Sequence, residues 1–262
     1  MGKLLVLFLC PALLISISAE PMAVRYSEGL VHGFLTLRSL DGQILADGDL
    51  SQVARADRVT SKLVFRFRDG SYHEETVVFS QTRTFRLVTD HLVQKGPSFP
   101  HQVDMLIDHS RQHVTVRYID GDGKAKVADE RMNLPEDLAN GLMSILMKNY
   151  PPNGPPVTLS MVAATPKPRV VKLVVIPTGE EPFSNGKALH KATHFRVKVE
   201  IGGISGVVAP LVGKQPPDGH VWILAGDAPA FLKSESQFYA DGPTWRIELT
   251  SPAWPPPASP VR

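Results

Sequence analysis

LPEDLANGLMSILMKNY, residues 134–150, is the one stretch of this 262-residue chain with a sustained helical period. Leu138, Leu142, Ile145 and Leu146 recur at spacings of three and four, which places them on one helical face. Pro135 suits the first helical position, where a missing N–H costs nothing. Glu136 and Asp137 follow in the first turn, where carboxylates complement the positive end of the helix dipole. Lys148 lies in the last turn and Pro151-Pro152 forbids continuation. These signals predict a helix over 135–150. Met143, Met147 and Tyr150 widen the apolar stripe until mainly Asn140, Ser144 and Lys148 remain polar. Such breadth implies burial on more than one side. Two readings stay open: a plug filling a β core, with Met closing irregular gaps, or an adaptable wall lining an apolar cavity.

Everything around this stretch reads as strand. Residues 31–40 and 43–52 flank Asp41-Gly42, a strong hairpin signal. Over 61–68, Leu63, Phe65 and Phe67 alternate with Lys62, Arg66 and Arg68, the pattern of a strand with one buried face. Asp69-Gly70-Ser71 turns into a strand over 72–80. A three-residue loop there would set Phe65 opposite Glu75 and Arg66 opposite Glu74, a favourable charge pair. It would also put His73 and Glu75 on the apolar face, where a carboxylate must find a partner or raise its pKa. These two residues either orient a ligand in an apolar pocket or sit at a solvated strand end. Further strands are expected over 83–91, 103–109, 113–119 and 124–132, and after the helix over 157–164 and 169–176. Residues 193–201 alternate most cleanly, with Phe195 and Val197 on the apolar face, before a Gly202-Gly203 hairpin into 204–212. Segments 220–225, 231–239 and 245–249 complete roughly a dozen strands at hairpin spacing. No βαβ alternation appears, so a parallel nucleotide-binding sheet is not expected. The expected fold is mainly β: a large curved antiparallel sheet or half-open barrel wrapped on one central helix, 135–150.

The first nineteen residues, MGKLLVLFLCPALLISISA, combine one Lys, an apolar run and small residues, the pattern of a signal peptide cleaved near Ala19. That predicts export to the periplasm or outside the cell. The run is short for a membrane span. It contains Cys10, the only cysteine, without the small residues before it that a lipoprotein site requires. A single β-rich domain is expected over 20–250, with 150–156 as a stiff internal connector and 251–262 as a Pro-rich extended tail. A net charge of +2 with no concentrated basic face argues against nucleic acid as a partner. His101, Asp104, Asp108, His109 and His113 are close in sequence, but strand alternation sends them to different faces. Asp120–Gly123 opens like a calcium loop and lacks its later ligands, so it reads as a hairpin turn. No metal and no cofactor is therefore expected. Gly-x-Ser-x-Gly, His-Glu-x-x-His and the phosphate-cradling GxxxxGK are all missing, and no catalytic residue is assigned.

The layout from Gly33 to Leu249 resembles the uncharacterised bacterial periplasmic proteins built on a half-open β-barrel, similar in architecture to the LolA-like outer-membrane lipoprotein carriers. The resemblance rests on the leader, the long antiparallel strands around a mid-chain helix, and the closing VWILAGDAPAFLKSESQFYADGPTWRIEL. It implies a curved sheet around helical elements, with an apolar gap that holds acyl chains. The expected lining is Phe65, Phe67, His73, Glu75, Leu142, Met143, Leu146, Met147, Phe195 and Val197. The expected function is binding of a lipid or other apolar ligand, or chaperoning of an envelope component, without catalysis, with an apolar small molecule, a lipid or an envelope protein as the expected partner. A structural envelope domain with no ligand cavity is the alternative, and a hydrolase of unknown type comes third.

Overall fold

The computed structural model describes residues 20–119, 122–185, 188–200 and 216–250. The leader, the Gly202-Gly203 hairpin with its return strand, and the 251–262 tail lie outside them. The first half of the chain is a meander of eight strands: β1 (Val31–Ser39), β2 (Ile44–Arg55), β3 (Arg58–Phe67), β4 (Tyr72–Gln81), β5 (Phe85–Lys95), β6 (Val103–Asp108), β7 (His113–Ile119) and β8 (Ala125–Arg131). After α1 (Met143–Asn149) come β9 (Val157–Ala163), β10 (Arg169–Asn185), β11 (Ala188–Glu200), β12 (Gly219–Leu224), β13 (Ala230–Gln237) and β14 (Thr244–Thr250). The last strand pairs with the first, Leu35 opposite Leu249. Among the described residues, one antiparallel sheet of fourteen strands results, in the order β8-β7-β6-β5-β4-β3-β2-β1-β14-β13-β12-β11-β10-β9. It is barrel-like but unsealed, because β8 and β9 are its two ends.

Side-chain alternation decides what the sheet encloses. Val59, Ser61, Phe65 and Phe67 of β3 are buried, while Arg58, Thr60, Lys62 and Arg66 face solvent. Phe65 lies over Gly48 of β2, where a Cβ would collide with its ring, so only glycine admits the aromatic there. The larger apolar cluster joins residues from both halves of the sheet, among them Met105, Ile107, Val114, Leu173, Val175 and Phe195, around Leu142, Ile145, Leu146 and Met147 of the helical segment. The helix therefore sits inside the curve. A second cluster gathers Leu35, Leu37, Phe65, Phe67, Phe99 and Trp245. Phe99, from the loop after β5, sends its ring to 5.3 Å from Phe67 and 5.9 Å from Trp245.

The helix is shorter than predicted: it spans Met143–Asn149, not 135–150. The reason is competition for the backbone of residues 137–140, which the edge of β9 claims. Ala139 N–H donates to Ser160 O (2.8 Å) and Ser160 N–H to Asp137 O (3.3 Å). The Asn140 side chain accepts from Val162 N–H at 2.8 Å and donates to Val162 O at 3.0 Å. Gly141 then takes φ +62°, a left-handed turn that an α-helix cannot contain. The acidic pair expected at the helix start is used elsewhere. Glu136 pairs with Arg86, and Asp137 is buried with Lys172 Nζ at 4.0 Å.

The β3–β4 register also differs from the three-residue loop. Phe65 stands opposite His73 and Leu63 opposite Glu75, a shift of two residues. A shift of two keeps every side chain on its predicted face, since the strand period is two. It does remove the Arg66–Glu74 pair: Arg66 stands opposite Tyr72, and Glu74 instead meets Lys62 at 3.0 Å.

Asn140 satisfies two backbone groups of an otherwise unpaired edge, both in buried surroundings. Asn140→Ala is expected to lower unfolding free energy by about 2–3 kcal/mol, the cost of orphaning buried polar groups. Urea denaturation checks this; a change below about 0.5 kcal/mol would show that the edge is satisfied otherwise.

Candidate functional site

The ten residues expected to line one apolar space are divided between two cores. Leu142, Leu146, Met147, Phe195 and Val197 meet in the larger cluster, with Met143 half-buried against it. Phe65 and Phe67 belong to the aromatic cluster at the other end. His73 and Glu75 lie on the inner face of β4, as the alternation requires.

The reading of His73 as a solvated strand-end residue is corrected by its surroundings. Its ring is buried between Phe238 (5.0 Å), Phe65 (6.0 Å) and Phe99 (6.4 Å). The Gln94 amide donates to His73 Nδ1 at 3.2 Å and to Phe238 O at 2.9 Å, which assigns the ring proton to Nε2. Burial pushes the imidazolium down to about 4. A ring that stays neutral near pH 7 is a poor proton carrier there and serves to tie β4 and β5 to the loop around Phe238.

Glu75 has a partner in Asp90 of β5, a residue that strand alternation did not single out. Val77 stands opposite Asp90 and Glu75 opposite Leu92, so the two carboxyls are diagonal neighbours on the inner face. The sequence hides this. Phe85 and Leu87 set an alternation that would turn Asp90 outward. A bulge leaves Val88 without an opposite residue, between the Thr89–Val78 and Leu87–Phe79 pairs. The bulge re-phases the strand, and Asp90, Leu92 and Gln94 point inward. The detectable signal is Leu92, whose phase conflicts with that of Leu87.

Asp90 has no accessible surface, and neither carboxyl oxygen has a hydrogen-bond partner among the described residues. Burial, reinforced by the Glu75 charge, raises its pKa well above the ordinary carboxylate value. Glu75 keeps part of its surface, yet it lies deep enough for burial to push its carboxyl up to about 7. A Cβ built on Gly141 would stand 3.3 Å from Glu75 Cδ and Oε1 and would overlap Val77. The turn that begins the helical plug thus rests directly on the Glu75 carboxyl. In a protonated state the pair is tolerable in an apolar core; doubly ionised, it is strongly disfavoured.

A hollow opens beside β9, near the end of α1. It measures about 230 Å³ and is lined by Met22, Tyr150, Pro151, Val157 and Leu159, with Glu20 and Arg25 among its polar groups. Residues 22–25 reach it by adding to the start of β5: Phe85 N–H donates to Met22 O (2.8 Å) and Val24 N–H to Arg83 O (2.9 Å). Asn149, at the end of the helix, accepts from Arg25 N–H (2.8 Å) and Tyr26 N–H (2.7 Å). Lys148 pairs with the buried Glu28, which also accepts from Gln52 Nε2 at 2.9 Å. One wall of the hollow is therefore the N-terminal segment, tied to the helix by polar contacts.

The residues weighed as a metal cluster do not converge. Asp104 meets His91 at 3.0 Å, Asp108 holds Ser110, His109 Nε2 is 3.2 Å from Pro135 O, and His113 is 3.3 Å from Asp129.

The Glu75–Asp90 pair makes stability depend on pH. Glu75 has a raised folded pKa, about 7 against 4.5, so the folded state retains a proton that the unfolded chain has released. Asp90 acts in the same direction. The Glu75 contribution is fully present below its unfolded value and is lost as pH rises through about 7. Denaturation at pH 5 and pH 8 should therefore show a loss of up to about 3 kcal/mol attributable to Glu75. Glu75→Gln should flatten that dependence and stabilise the protein at pH 8. An unchanged pH profile in Glu75→Gln and Asp90→Asn would refute the buried-pair description.

No family model matches the chain, and no curated protein matches it. Among solved structures, it is similar to a beta-barrel-like protein of domain of unknown function DUF1849 from Brucella abortus. That likeness has a TM-score of 0.47 and 12% identity, covering 86% of this chain and 98% of that one.

Proposed function

We propose that this protein is an exported, non-catalytic binder of a lipid or similar apolar molecule, acting in the periplasm or cell envelope. The observation that carries the reading is the hollow between the N-terminal segment, the end of α1 and the edge strand β9. Met22, Val157 and Leu159 supply apolar lining, and Arg25 supplies a cation for an anionic headgroup. At about 230 Å³ it lies below the usual range of roughly 300–1,000 Å³ for small-molecule pockets. It suits a section of an acyl chain rather than a rigid polycyclic ligand. A longer chain gains room by displacing α1, where Met147 supplies the flexible packing. The resemblance of the layout to half-open-barrel lipoprotein carriers agrees with this reading, as does the leader-like stretch at residues 1–19.

A second reading has its own observation. Leu142, Met147 and Phe195 are almost completely buried, so much of the inner space is filled. An envelope-assembly domain working through its outer surface would need no more than that.

One experiment separates the two. The protein purified from its own envelope is extracted for mass spectrometry of co-purifying lipids, and the stripped protein is titrated with a fluorescent fatty acid. The carrier predicts saturable uptake that Val157→Arg weakens by at least roughly tenfold, equivalent to about 1.4 kcal/mol, with little change in melting temperature. A lipid-free protein that takes up no fatty acid would sink the carrier in favour of the surface reading.

A further inference from the structure

The outer face of β10–β13 holds a polar constellation that neither the hollow beside β9 nor the carboxyl pair uses. His194 of β11 and His220 of β12 lie diagonally across the strand pair, with His194 Nε2 2.9 Å from His220 Nδ1. The His194 ring is fixed on two further sides. It stacks on Trp222 at 4.4 Å with an interplanar angle of 0°, and its Nδ1 lies 3.0 Å from Glu181 Oε1. The other Glu181 oxygen accepts from Trp222 Nε1 at 2.9 Å, which anchors the carboxylate in turn. Lys233 covers the Trp222 ring at 4.0 Å.

We propose that His194 Nε2 and His220 Nδ1 are the two protein ligands of a divalent transition-metal site, best suited to Cu(II). The tautomers support it. Glu181 accepts the Nδ1 proton of His194, so His194 Nε2 presents its lone pair and His220 Nδ1 now donates to it. A metal replaces that bridging proton, and His220 carries its proton on Nε2 instead, with no net proton change. Glu181 then fills the role of the carboxylate that orients a metal-bound histidine through its second nitrogen.

The spacing favours the metal named. With metal–nitrogen bonds of roughly 2.0–2.1 Å, nitrogens 2.9 Å apart subtend about 90° at the ion. That is the adjacent-ligand angle of a tetragonal site, the geometry of Cu(II) or Ni(II), and Cu(II) binds more tightly of the two. A tetrahedral Zn(II) site needs the nitrogens wider apart. Among the described residues, no group of three or more His, Cys, Asp or Glu is placed to hold an ion, so water completes the coordination. Both histidines keep accessible surface, which leaves those positions open to solvent.

The test is titration of the purified protein with Cu(II) at pH 7.4, followed by tryptophan fluorescence and low-temperature electron paramagnetic resonance. One equivalent should bind, quench the emission of Trp222, and show hyperfine coupling from two imidazole nitrogens. His194→Ala and His220→Ala should each weaken binding by at least roughly tenfold, and Glu181→Gln by about tenfold, while His91→Ala leaves it unchanged. Coupling from a single imidazole in the wild-type protein would overturn the proposal, whatever the variants do. So would undiminished binding by folded His194→Ala and His220→Ala proteins.

Discussion

The structure depends on one topological constraint: fourteen antiparallel strands are laid side by side, and the two ends do not join. The chain must return from β8 to β9 to begin its second meander. Residues 132–156 make that crossing, and their apolar side chains find burial only inside the curve. The same constraint leaves β8 and β9 at the ends of the described sheet, each with one edge that no neighbouring strand of that sheet covers. They are handled differently. β8 is short and carries Lys126, Asp129, Glu130 and Arg131. β9 is covered from inside by residues 137–140, which supply both backbone and side-chain partners.

This explains why a segment with good helical credentials gives only seven helical residues. Intrinsic preference is worth tenths of a kcal/mol per residue, whereas an orphaned buried hydrogen-bonding group costs one to several. The edge of β9 outbids the first helical turns. The turn that follows, at Gly141, descends onto Glu75, so the crossing segment, the carboxyl pair and the sheet interior are one mechanical unit. With no hydrogen-bond donor on Asp90 among the described residues, the carboxyl pair is tolerable in such a place only while it holds protons.

The polar ties of the molecule sort by face. On the inside they link different parts of the chain: Asn149 to the N-terminal segment, Glu28 to Gln52 and Lys148, and Gln94 to His73 and the Phe238 loop. On the outside they run across neighbouring strands, as in Arg246 with Glu235 and Arg38 with Glu248. Exposed pairs of that kind contribute little stability each. The His194–His220–Glu181–Trp222 group departs from the pattern, because three partners converge on one imidazole.

What the sequence determined by itself is the alternation: which face of β3, β4 and β11 is apolar, where the hairpins turn, and that a single apolar segment interrupts the strands. These are local properties, set by a period of two and by turn chemistry, so they survive even a two-residue error in the β3–β4 register. His73 and Glu75 were legible as inward-facing for that reason. The tertiary structure decided what depends on partners distant in sequence. It decided the length of α1, because Ser160 takes the backbone of Asp137 and Ala139 and Val162 takes the Asn140 side chain. It decided the burial of Asp90, because the bulge at Val88 is stabilised by a pairing with His109 N–H at 3.0 Å that no local pattern announces. It also decided the division of the expected lining into two cores, because curvature of the sheet, rather than the apolar character of any strand, determines which inward faces meet.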